Sequence, residues 1–593
     1  MRFINRSQYF SREQQIAGDI VAYFSMEIAV IPEIPTYSGG LGVLAGDTLR
    51  AAADMGLPVA AVTLAHRKGY FRQHLDANGV QTEEPQPWSP ETTLEAEEPV
   101  ITVTVEGRPV AVRAWRYDLE GVSGHRVPIY FLDADLEQND PADRSLTDCL
   151  YGGDTNYRLR QEVILGIGGA RMLRALEYEP SVYHMNEGHA ALLTVPVLEQ
   201  ELHGGGLQTA TERDVDAVRR RCVFTTHTPV PAGHDRFSGE QAYRILGPER
   251  AGMLERFGCF HDGLLNMTYI ALRFSRFVNG VAMQHGKVSR QMFPEYTIDA
   301  ITNGVHAGTW TSPATQGVFD RHLPRWRQDN VTLRYAIDIP EHEIVAAHTA
   351  SKNALIAQVK SSTGIELRPE IFTLGFARRA ATYKRADLLF TDPQRLVKMA
   401  EKFGGLQILY AGKAHPADEP GKSKIRRVIE IGKQLSGGPL QVVYLENYEW
   451  ELGALLTGGV DLWLNTPRRP YEASGTSGMK AALNGVPSLS ILDGWWIEGW
   501  IEGVTGWAID DHDDEPGEAR SLYEHLEQTI LPLFYKDQGQ WRRIMRSTIA
   551  LNGSFFNTQR MLEQYVINAY FPEKRVEKSG APAEQEAEKT VAQ

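Results

Sequence analysis

The segment YEASGTSGMKAALNGVPSLSILD, residues 471–493, decides how the rest of the chain is interpreted. It opens with the carboxylate of Glu472, continues through small residues that let the backbone approach a bound group closely, and then enters a predicted helix that carries Lys480. The unpaired N–H groups and the positive dipole end of a helix start favour a phosphate. The segment therefore predicts an anion site beside an amine. On these residues alone, a capped surface helix with a solvated lysine is the more common arrangement.

Length and composition indicate a large globular chain. With 593 residues the chain is too long for one hydrophobic core, so we expect two large domains. Its apolar and charged fractions are ordinary for a soluble protein, and it contains no apolar run long enough to span a membrane. The opening residues, MRFINRSQYFSREQ, are polar, which argues against a secretory leader. We therefore predict no association with a membrane.

The charge and the cysteines exclude further classes of function. A net charge of -14 at pH 7 argues against a general nucleic-acid binder, so an anionic ligand needs a local basic cluster. Cys149, Cys222 and Cys259 lie far apart and lack the spacing of metal ligands, so we predict neither a disulfide framework nor a metal site. Free cysteines indicate a reducing compartment, and we expect the cytoplasm.

The first half of the chain alternates predicted strands and helices. Residues 19–30 and 56–66 are strand candidates with a helical segment, DTLRAAADM, between them, which is the pattern of a βαβ unit. Residues 69–83 and 100–116 alternate with period two around turn signals, and we expect hairpins inserted at one edge of the sheet. The alternation resumes with a helix at 157–176, strands at 181–185 and 221–227, a helix at 277–293 and a last strand near Asn303.

The second half repeats this alternation. Predicted strands occupy residues 372–377, 406–412, 440–446, 460–466 and 487–492, and predicted helices lie near 385–403, 421–435, 449–457 and 477–483. The whole pattern predicts an α/β fold of two facing Rossmann-like, doubly wound domains with a catalytic cleft between them. Ligands in this architecture bind at the carboxyl ends of the strands.

The predicted domain boundaries follow from the same alternation. We expect the first domain at residues 1–305 and the second at residues 306–545. Helices at 546–571 are expected to cross back to the first domain. Residues 572–593 lack apolar content and predict a disordered tail.

A basic cluster follows the first strand of the second half. The segment FARRAATYKR, residues 376–385, carries Arg378, Arg379, Lys384 and Arg385 in an otherwise acidic chain. Each arginine can donate two hydrogen bonds to one phosphate, and lysine supplies a compact charge. By itself the cluster also fits a solvated helix start.

A glycine-rich loop, YSGGLG at residues 37–42, precedes the DTLRAAADM helix. It is a weak signal alone, because a tight turn from strand to helix would use the same residues.

Taken in order, these motifs resemble those of the α-glucan phosphorylases, which act on glycogen, starch and maltodextrin. EASGTSGMKAALNG followed by LDG resembles the family's cofactor segment, in which the lysine corresponding to Lys480 forms a Schiff base with pyridoxal 5′-phosphate. ARRAATYKR resembles the family's basic segment, and GGLG its phosphate loop. Ser477-Gly478 replaces a Gly-Asn pair, Arg378 replaces the usual lysine, and a long insertion before the GGLG loop is missing. The Ser477-Gly478 departure indicates a short, divergent prokaryotic branch, and cofactor contacts made from the missing insertion are not carried over to this chain.

The resemblance implies roles for individual residues. Arg378 would contact the cofactor phosphate, while Arg379 and Lys384 would hold the substrate phosphate, and Glu472 would bind glucosyl hydroxyls. His227, in the motif TTHTP, is implied as a catalytic residue at the rim of the sugar pocket. The other implied contacts are Gly40, Trp310, Thr476 and Ser477 for the cofactor, and Gly39, Leu41, Glu187, Asn303, Ser474 and Gly475 for the substrate.

The implied reaction is reversible phosphorolysis with retention. Inorganic phosphate cleaves the terminal α-1,4-glucosyl unit of a glucan and gives α-glucose 1-phosphate, with the cofactor's 5′-phosphate as the proton relay and no carboxylate pair of the hydrolase kind. Glucan, phosphate and glucose 1-phosphate are the expected ligands, and a homo-oligomer is compatible with the sequence.

Two alternatives remain open. One is a retaining nucleotide-sugar glucan synthase, which would share the twin Rossmann domains and a GGLG loop but has no use for Lys480. The other is an inactive glucan-binding homologue, against which the intact set of Lys480, Arg379, Lys384, Glu472 and His227 argues.

Overall fold

The computed structural model describes residues 19–230, 233–435, 437–510 and 514–572. The strands of the first half are β1 Val21–Ser25, β2 Val59–Leu64, β3 Arg72–Leu75, β4 Gln81–Glu84, β5 Glu95–Val105, β6 Arg108–Glu120, β7 Arg126–Asp133, β8 Val182–Asn186, β9 Cys222–Thr225, β10 Arg236–Ser238, β11 Phe260–His261, β12 Leu264–Asn266, β13 Phe277–Gly280 and β14 Asp299–Ala300. Those of the second half are β15 Thr373–Ala377, β16 Leu406–Ala411, β17 Leu440–Leu445, β18 Leu462–Asn465, β19 Ser488–Ile491 and β20 Gly506–Ile509.

Helices connect most of these strands. They are α1 Gly40–Met55, α2 Pro90–Thr93, α3 Pro141–Arg144, α4 Thr155–Val163, α5 Gly169–Ala175, α6 Thr194–Glu201, α7 Glu212–Arg219, α8 Gly239–Leu246, α9 Pro248–Arg256, α10 Met267–Arg273, α11 Met283–Met292, α12 Ala307–Trp310, α13 Pro313–His322, α14 Glu341–Thr363, α15 Pro393–Phe403, α16 Glu419–Leu435, α17 Trp450–Gly459, α18 Ser477–Leu483, α19 Trp496–Gly499, α20 Glu515–Glu524, α21 Leu531–Lys536, α22 Gln538–Thr548 and α23 Thr558–Tyr565.

The described strands form two large sheets. The first has the order β14-β13-β9-β8-β1-β2-β7-β6-β5, parallel from β14 to β7 and antiparallel from β7 to β5. The second has the order β17-β16-β15-β18-β19-β20 and is parallel throughout. Because parallel strands end at the same edge, the loops after β1, β8 and β9 meet at one edge and those after β15, β16 and β18 at another.

The central strands of each sheet are buried on both faces. In β1, Ala22 and Phe24 belong to one apolar cluster, whereas Val21 and Tyr23 belong to a second cluster on the opposite face. The alternation of strand side chains between two faces explains this division, and in β16 it recurs with Ile408 and Leu409 in different clusters. Burial of the central strands on both faces is typical of doubly wound α/β proteins, in which helices cover both faces of a sheet. Within the described residues, no helix combines the length and apolar character needed to cross a membrane.

The C-terminal helix α23 lies against the first sheet. Met561, Leu562 and Tyr565 are buried in the same apolar cluster as α1 and β1. The Tyr565 hydroxyl lies 3.0 Å from Thr225 Oγ1 at the end of β9. The Tyr570 hydroxyl lies 2.7 Å from Nδ1 of His184 in β8. The C-terminal end of the described chain, which follows the second sheet in the sequence, thus packs on the first half of the chain.

The structure corrects several sequence expectations. The helix expected at 277–293 is a buried strand, β13, followed by α11, because residues 277–280 pair with β9 and β14. The strand expected at 19–30 ends at Ser25, and the helix expected near 385–403 begins only at Pro393, where the Asp392 side chain caps it by accepting from the Arg395 N–H. β20 was not expected. The tail expected at 572–593 lies outside the described residues apart from Pro572.

Of the two expected hairpins, one joins the first sheet and the other forms a separate sheet. β5 and β6 do extend one edge of the first sheet, as expected. β3 and β4 form a separate two-stranded sheet instead, which contacts the second half of the chain.

Candidate active site

Lys480 lies on α18, whose residues, Ser477–Leu483, are those predicted from the sequence. Its side chain is buried, and the ammonium nitrogen lies 3.5 Å from the centroid of the Trp310 ring. Burial lowers the pKa of Lys480 to about 8, although the charge of Asp47 opposes the shift. About a tenth of this amine is therefore neutral at pH 7, far more than for an exposed lysine, and the neutral amine is the nucleophilic form.

Trp310 contacts residues of three separate elements of the chain. Its Nε1–H donates to Asp47 Oδ2 at 2.7 Å, and its backbone carbonyl accepts from Asn484 Nδ2 at 2.8 Å. Trp450 stacks on it with the ring centroids 5.7 Å apart. Since Asp47 belongs to α1 and Asn484 follows α18, the ring joins the glycine-rich loop's helix to the lysine helix.

Glu472 is the centre of a buried charge cluster. Its Oε2 accepts from Arg378 Nη2 at 2.5 Å and from Lys384 Nζ at 2.6 Å, and Arg378 also donates to Asn465 Oδ1. Burial opposes ionisation of Glu472, but the two cations outweigh it and lower the pKa to about 2. Two of the predicted phosphate-binding cations thus contact Glu472, and its contact with glucosyl hydroxyls stays a prediction.

Asp493 holds the backbone at Glu472. Its Oδ2 accepts from the Glu472 N–H and its Oδ1 from the Gly494 N–H, both at 2.9 Å. Burial raises the pKa of Asp493 to about 6, although these two hydrogen bonds oppose the shift. Asp493 thereby fixes the backbone at the start of the segment 471–493.

Arg379 is the exposed cation of the basic segment, and it interacts electrostatically with Tyr383, Tyr70 and Glu27. Lys384 contacts the same tyrosine, with Nζ 4.6 Å from the ring centroid of Tyr383. Lys384 and Arg378 both contact Glu472, and the joint role of Arg379 and Lys384 at the substrate phosphate stays a prediction. Arg379 is therefore the cation of the cluster that is exposed to solvent and to an incoming anion.

The glycine-rich loop begins α1. The buried carboxylate of Glu27 accepts from the Ser38 N–H at 2.5 Å, from the Gly39 N–H at 3.2 Å and from the Tyr151 hydroxyl at 2.9 Å. The Gly39 N–H, expected to bind phosphate, is thus already engaged. Gly40 and Leu41 are the first two residues of the helix, where N–H groups have no partner within the helix.

His227 and Glu187 lie together at the ends of β8 and β9. His227 Nε2 lies 2.6 Å from Asn186 Oδ1, and the His227 N–H donates to Glu187 Oε2 at 2.7 Å. Burial lowers the pKa of His227 to about 3, so the imidazole is neutral at pH 7. Glu187 has a positive φ of 74°, and its carboxylate also accepts from the Thr228 hydroxyl at 3.0 Å.

Two predicted substrate residues carry unpartnered polar atoms. Asn303 Oδ1 and Ser474 Oγ are buried and have no hydrogen-bond partner among the described residues. Gly475 has a positive φ of 86°, and a Cβ there would lie 3.3 Å from Glu472 Cγ. Ser477 Oγ accepts from Trp463 Nε1 at 3.2 Å, and Thr476 precedes the first residue of α18 without a side-chain cap bond.

Sequence reasoning missed the carboxylates and amides that hold the predicted residues. Asp47, Asn186 and Asn465 each contact a predicted side chain, yet none belongs to a pattern that marks its role. Glu27 lies in the strand candidate 19–30 and Asp493 in the LDG motif, and neither had an assigned contact. Their positions at the ends of β1 and β19 were the available signal, because ligand-contacting loops lie at such ends.

Comparisons with known proteins agree with these motifs. A family model described as carbohydrate phosphorylase matches residues 234–502. The chain is 38% identical to a maltodextrin phosphorylase of Thermococcus litoralis, over 95% of this chain and 72% of that protein. The chain belongs to the carbohydrate phosphorylase family. It is also 36% identical to a glycogen phosphorylase of Mycobacterium tuberculosis, over 100% of this chain and 76% of that protein. A third relative, a glycogen phosphorylase of Aquifex aeolicus, is 32% identical over 93% of this chain and 86% of that protein.

Phosphorylases of this family use pyridoxal 5′-phosphate, and the residues present suit that group. The buried amine of Lys480 has a lowered pKa, and a flat indole lies against it. The Ser474 hydroxyl has no partner among the residues described, and the first N–H groups of α1 are free of intrahelical bonds. An amine, an aromatic wall and phosphate donors are the groups that such a cofactor requires.

Proposed function

We propose that the chain is an α-glucan phosphorylase that transfers the terminal α-1,4-glucosyl unit of glycogen, starch or maltodextrin to inorganic phosphate, reversibly and with retention. The observation that carries the proposal is the buried, lowered-pKa amine of Lys480 on the segment that also carries Glu472 and its two cations. Membership of the phosphorylase family supports it.

Lys480 holds pyridoxal 5′-phosphate covalently in this proposal. Trp310 packs beside it. We assign Arg378, Thr476, Ser477 and the Gly40 N–H as the hydrogen-bond donors to its phosphate. When bound, the cofactor supplies a phosphate whose second pKa of about 6 allows proton exchange near neutral pH. The low dielectric around the buried amine favours its neutral, reactive form.

Arg379 and Lys384 bind the substrate phosphate. Arg379 is exposed and available to an incoming dianion, while Lys384 forms an ion pair with Glu472. Fixed cations beside developing negative charge are typically the largest catalytic contribution in such a site. The N–H of Leu41 is a further donor at the positive end of α1, and the Gly39 N–H remains engaged by Glu27.

The sugar contacts come from the carboxylate and amide groups around the site. Glu472 is ionised at any physiological pH, because its pKa is about 2, and so it accepts hydrogen bonds from glucosyl hydroxyls. His227 is neutral, and with Nε2 donating to Asn186 its Nδ1 is an acceptor toward the sugar. Asn303, Ser474, Gly475 and Glu187 complete the proposed pocket.

The finer organisation is proposed on the same basis. The two sheets are the cores of two facing Rossmann-like domains of the B-type glycosyltransferase fold, at residues 1–305 and 306–545, with 546–571 returning to the first. The contact of Asp47 with Trp310 and of α23 with α1 supports this arrangement. A cytoplasmic enzyme and a homo-oligomer are compatible with it.

The glucan synthase alternative is less well supported, because a synthase has no role for the buried Lys480. Purified enzyme should show the near-ultraviolet absorbance of the cofactor and release phosphate from glucose 1-phosphate in the presence of maltodextrin. Glucosyl transfer from a nucleotide sugar, without phosphate release from glucose 1-phosphate, would overturn the proposal.

A further inference from the structure

The hairpin β3–β4 of the first half of the chain is bound to the second half through two buried glutamines. Gln73 and Gln81 are 0% and 4% exposed, whereas Arg72 and His74, on the other face of the hairpin, are exposed. Long polar side chains are rarely buried unless all of their hydrogen-bonding groups have partners. The inward face of this hairpin is therefore built for a specific polar contact.

Gln81 pairs with one residue of the second half as a strand would. Its Nε2 donates to the Ala414 carbonyl at 2.9 Å, and its Oε1 accepts from the Ala414 N–H at 3.0 Å. Gln73 Nε2 donates to Gln81 Oε1 at 2.8 Å and to the Gly412 carbonyl at 2.9 Å. The two amides thus engage the loop 412–414 that follows β16.

Gln73 also anchors the loop that follows β17. Its Oε1 accepts from the Asn447 N–H at 2.9 Å, and its own N–H donates to Asn447 Oδ1 at 3.1 Å. The Leu75 N–H donates to Glu446 at 3.0 Å. Two adjacent loops at the edge of the second sheet are therefore tied to one hairpin.

The loop held by the glutamines is itself bound to the basic segment. The Arg378 N–H donates to the Ala411 carbonyl at 3.1 Å, and the Ala380 N–H donates to the Lys413 carbonyl at 2.9 Å. The contact is close, because a Cβ at Gly412 would lie 2.0 Å from the Arg378 carbonyl oxygen. Arg379 lies between these two hydrogen-bonded residues.

An apolar contact accompanies the hydrogen bonds. Leu75 of the hairpin packs against a small apolar cluster of Ala380, Ala414 and Ile425. Ala380 directly follows Arg379 in the chain. A shift of the hairpin would therefore be transmitted to the backbone on which Arg379 stands.

From these contacts we infer that Gln73 and Gln81 are positioning residues, which fix the backbone of the segment 378–384 for phosphate binding from the opposite half of the chain. The inference rests on the proposed function of that segment. It adds that the position of Arg379 depends on a contact between the two halves, and that the halves cannot separate at this edge without breaking the hydrogen bonds of both glutamines.

The test compares the double variant Gln73→Ala/Gln81→Ala with the wild type and with His74→Ala. His74 is exposed on the same hairpin and contacts Glu84, so its variant controls for a change in the hairpin alone. We expect the double variant to keep its cofactor absorbance, to raise the KM for phosphate by about tenfold or more, and to change the KM for glucan less. Hydrogen exchange should become faster at residues 378–385 and 411–414.

Gln81→Glu is the second variant in case the double variant fails to fold. The variant keeps an oxygen that accepts from the Ala414 N–H, but its second carboxylate oxygen replaces Nε2 and repels the Ala414 carbonyl oxygen. We expect a smaller rise in the KM for phosphate than in the double variant. A lower melting temperature with unchanged KM values and unchanged exchange at 378–385 would overturn the inference, leaving a merely structural hairpin. If the wild type lacks phosphorolysis, the proposed function fails, whereas the exchange measurement still tests the hairpin.

Discussion

The ammonium nitrogen of Lys480 lies 3.5 Å from the centroid of the Trp310 ring, and the opposite polar edge of that ring donates to Asp47. The ring therefore stands between a buried cation and a buried carboxylate. A cation over an indole face is attracted by the ring quadrupole, which offsets part of the cost of burial. The contact holds the lysine in place, whereas burial of the amine lowers its pKa to about 8 against the opposing charge of Asp47.

The first prediction concerns the pH at which the lysine reacts. Only the neutral amine attacks an aldehyde, and burial lowers the pKa of Lys480 to about 8. Enzyme stripped of cofactor should take up pyridoxal phosphate at a rate that rises with pH and levels off above about pH 8. Asp47 raises this pKa, so Asp47→Asn should move the midpoint to lower pH. Stopped-flow absorbance gives the rates, and a midpoint in the ordinary lysine range would contradict the assignment.

Glu472→Gln tests the charge cluster. The variant leaves Arg378 and Lys384 without their shared carboxylate and removes the proposed acceptor for glucosyl hydroxyls. We expect the use of glucose 1-phosphate to fall by about a hundredfold while cofactor content is kept. Glu451→Gln, at an exposed position, is the matched control. Loss of cofactor with unchanged turnover per remaining cofactor would count against the role given to Glu472.

Arg379→Ala tests the exposed cation. Removal of a charge that clamps phosphate should lower kcat/KM by about a hundredfold, a loss of about 2.7 kcal/mol of transition-state stabilisation. The control is Arg368→Ala, which removes an exposed arginine paired with Glu370. Initial rates at varied phosphate measure both. A decrease of less than about tenfold would show that Arg379 does not hold the substrate phosphate.

Arg560→Ala tests the return of the C-terminal helix. Arg560 donates to the carbonyls of Thr302 at 2.6 Å and Asn303 at 2.9 Å, and both carbonyls would lose a partner. Each unpaired buried group costs about 1 to 3 kcal/mol, so denaturant unfolding should show a clear loss of stability. The KM for glucan should also rise, because Asn303 belongs to the proposed sugar pocket. Arg543→Ala, at an exposed position, should change neither quantity.

The local features of the site could be predicted from the sequence. The helix bounds at 477–483 were correct because small residues precede an alanine-rich segment with strong helix propensity. β13 was missed because residues 277–280 form a short, fully paired strand, whose apolar pattern does not differ from that of a buried helix. Short apolar runs carry this ambiguity in general.

Long-range partners could not be predicted. Asp47 and Trp310 are 263 residues apart, and Gln81 lies 333 residues from Ala414. No local pattern marks a carboxylate that will hold an indole or a glutamine that will cross to another sheet. The same reason explains why the contact of Lys384 with Glu472, 88 residues away in the sequence, was not predicted.

The central claim is that Lys480 carries pyridoxal phosphate in an enzyme that performs phosphorolysis. Borohydride reduction of the purified protein, followed by peptide mapping by mass spectrometry, tests it most directly. We expect the label on the peptide that contains Lys480, a shifted ultraviolet absorbance, and retention of a substantial part of the activity. Lys480→Ala should lose the label and most of the bound cofactor. A label on another lysine, or full activity without any label, would contradict the account.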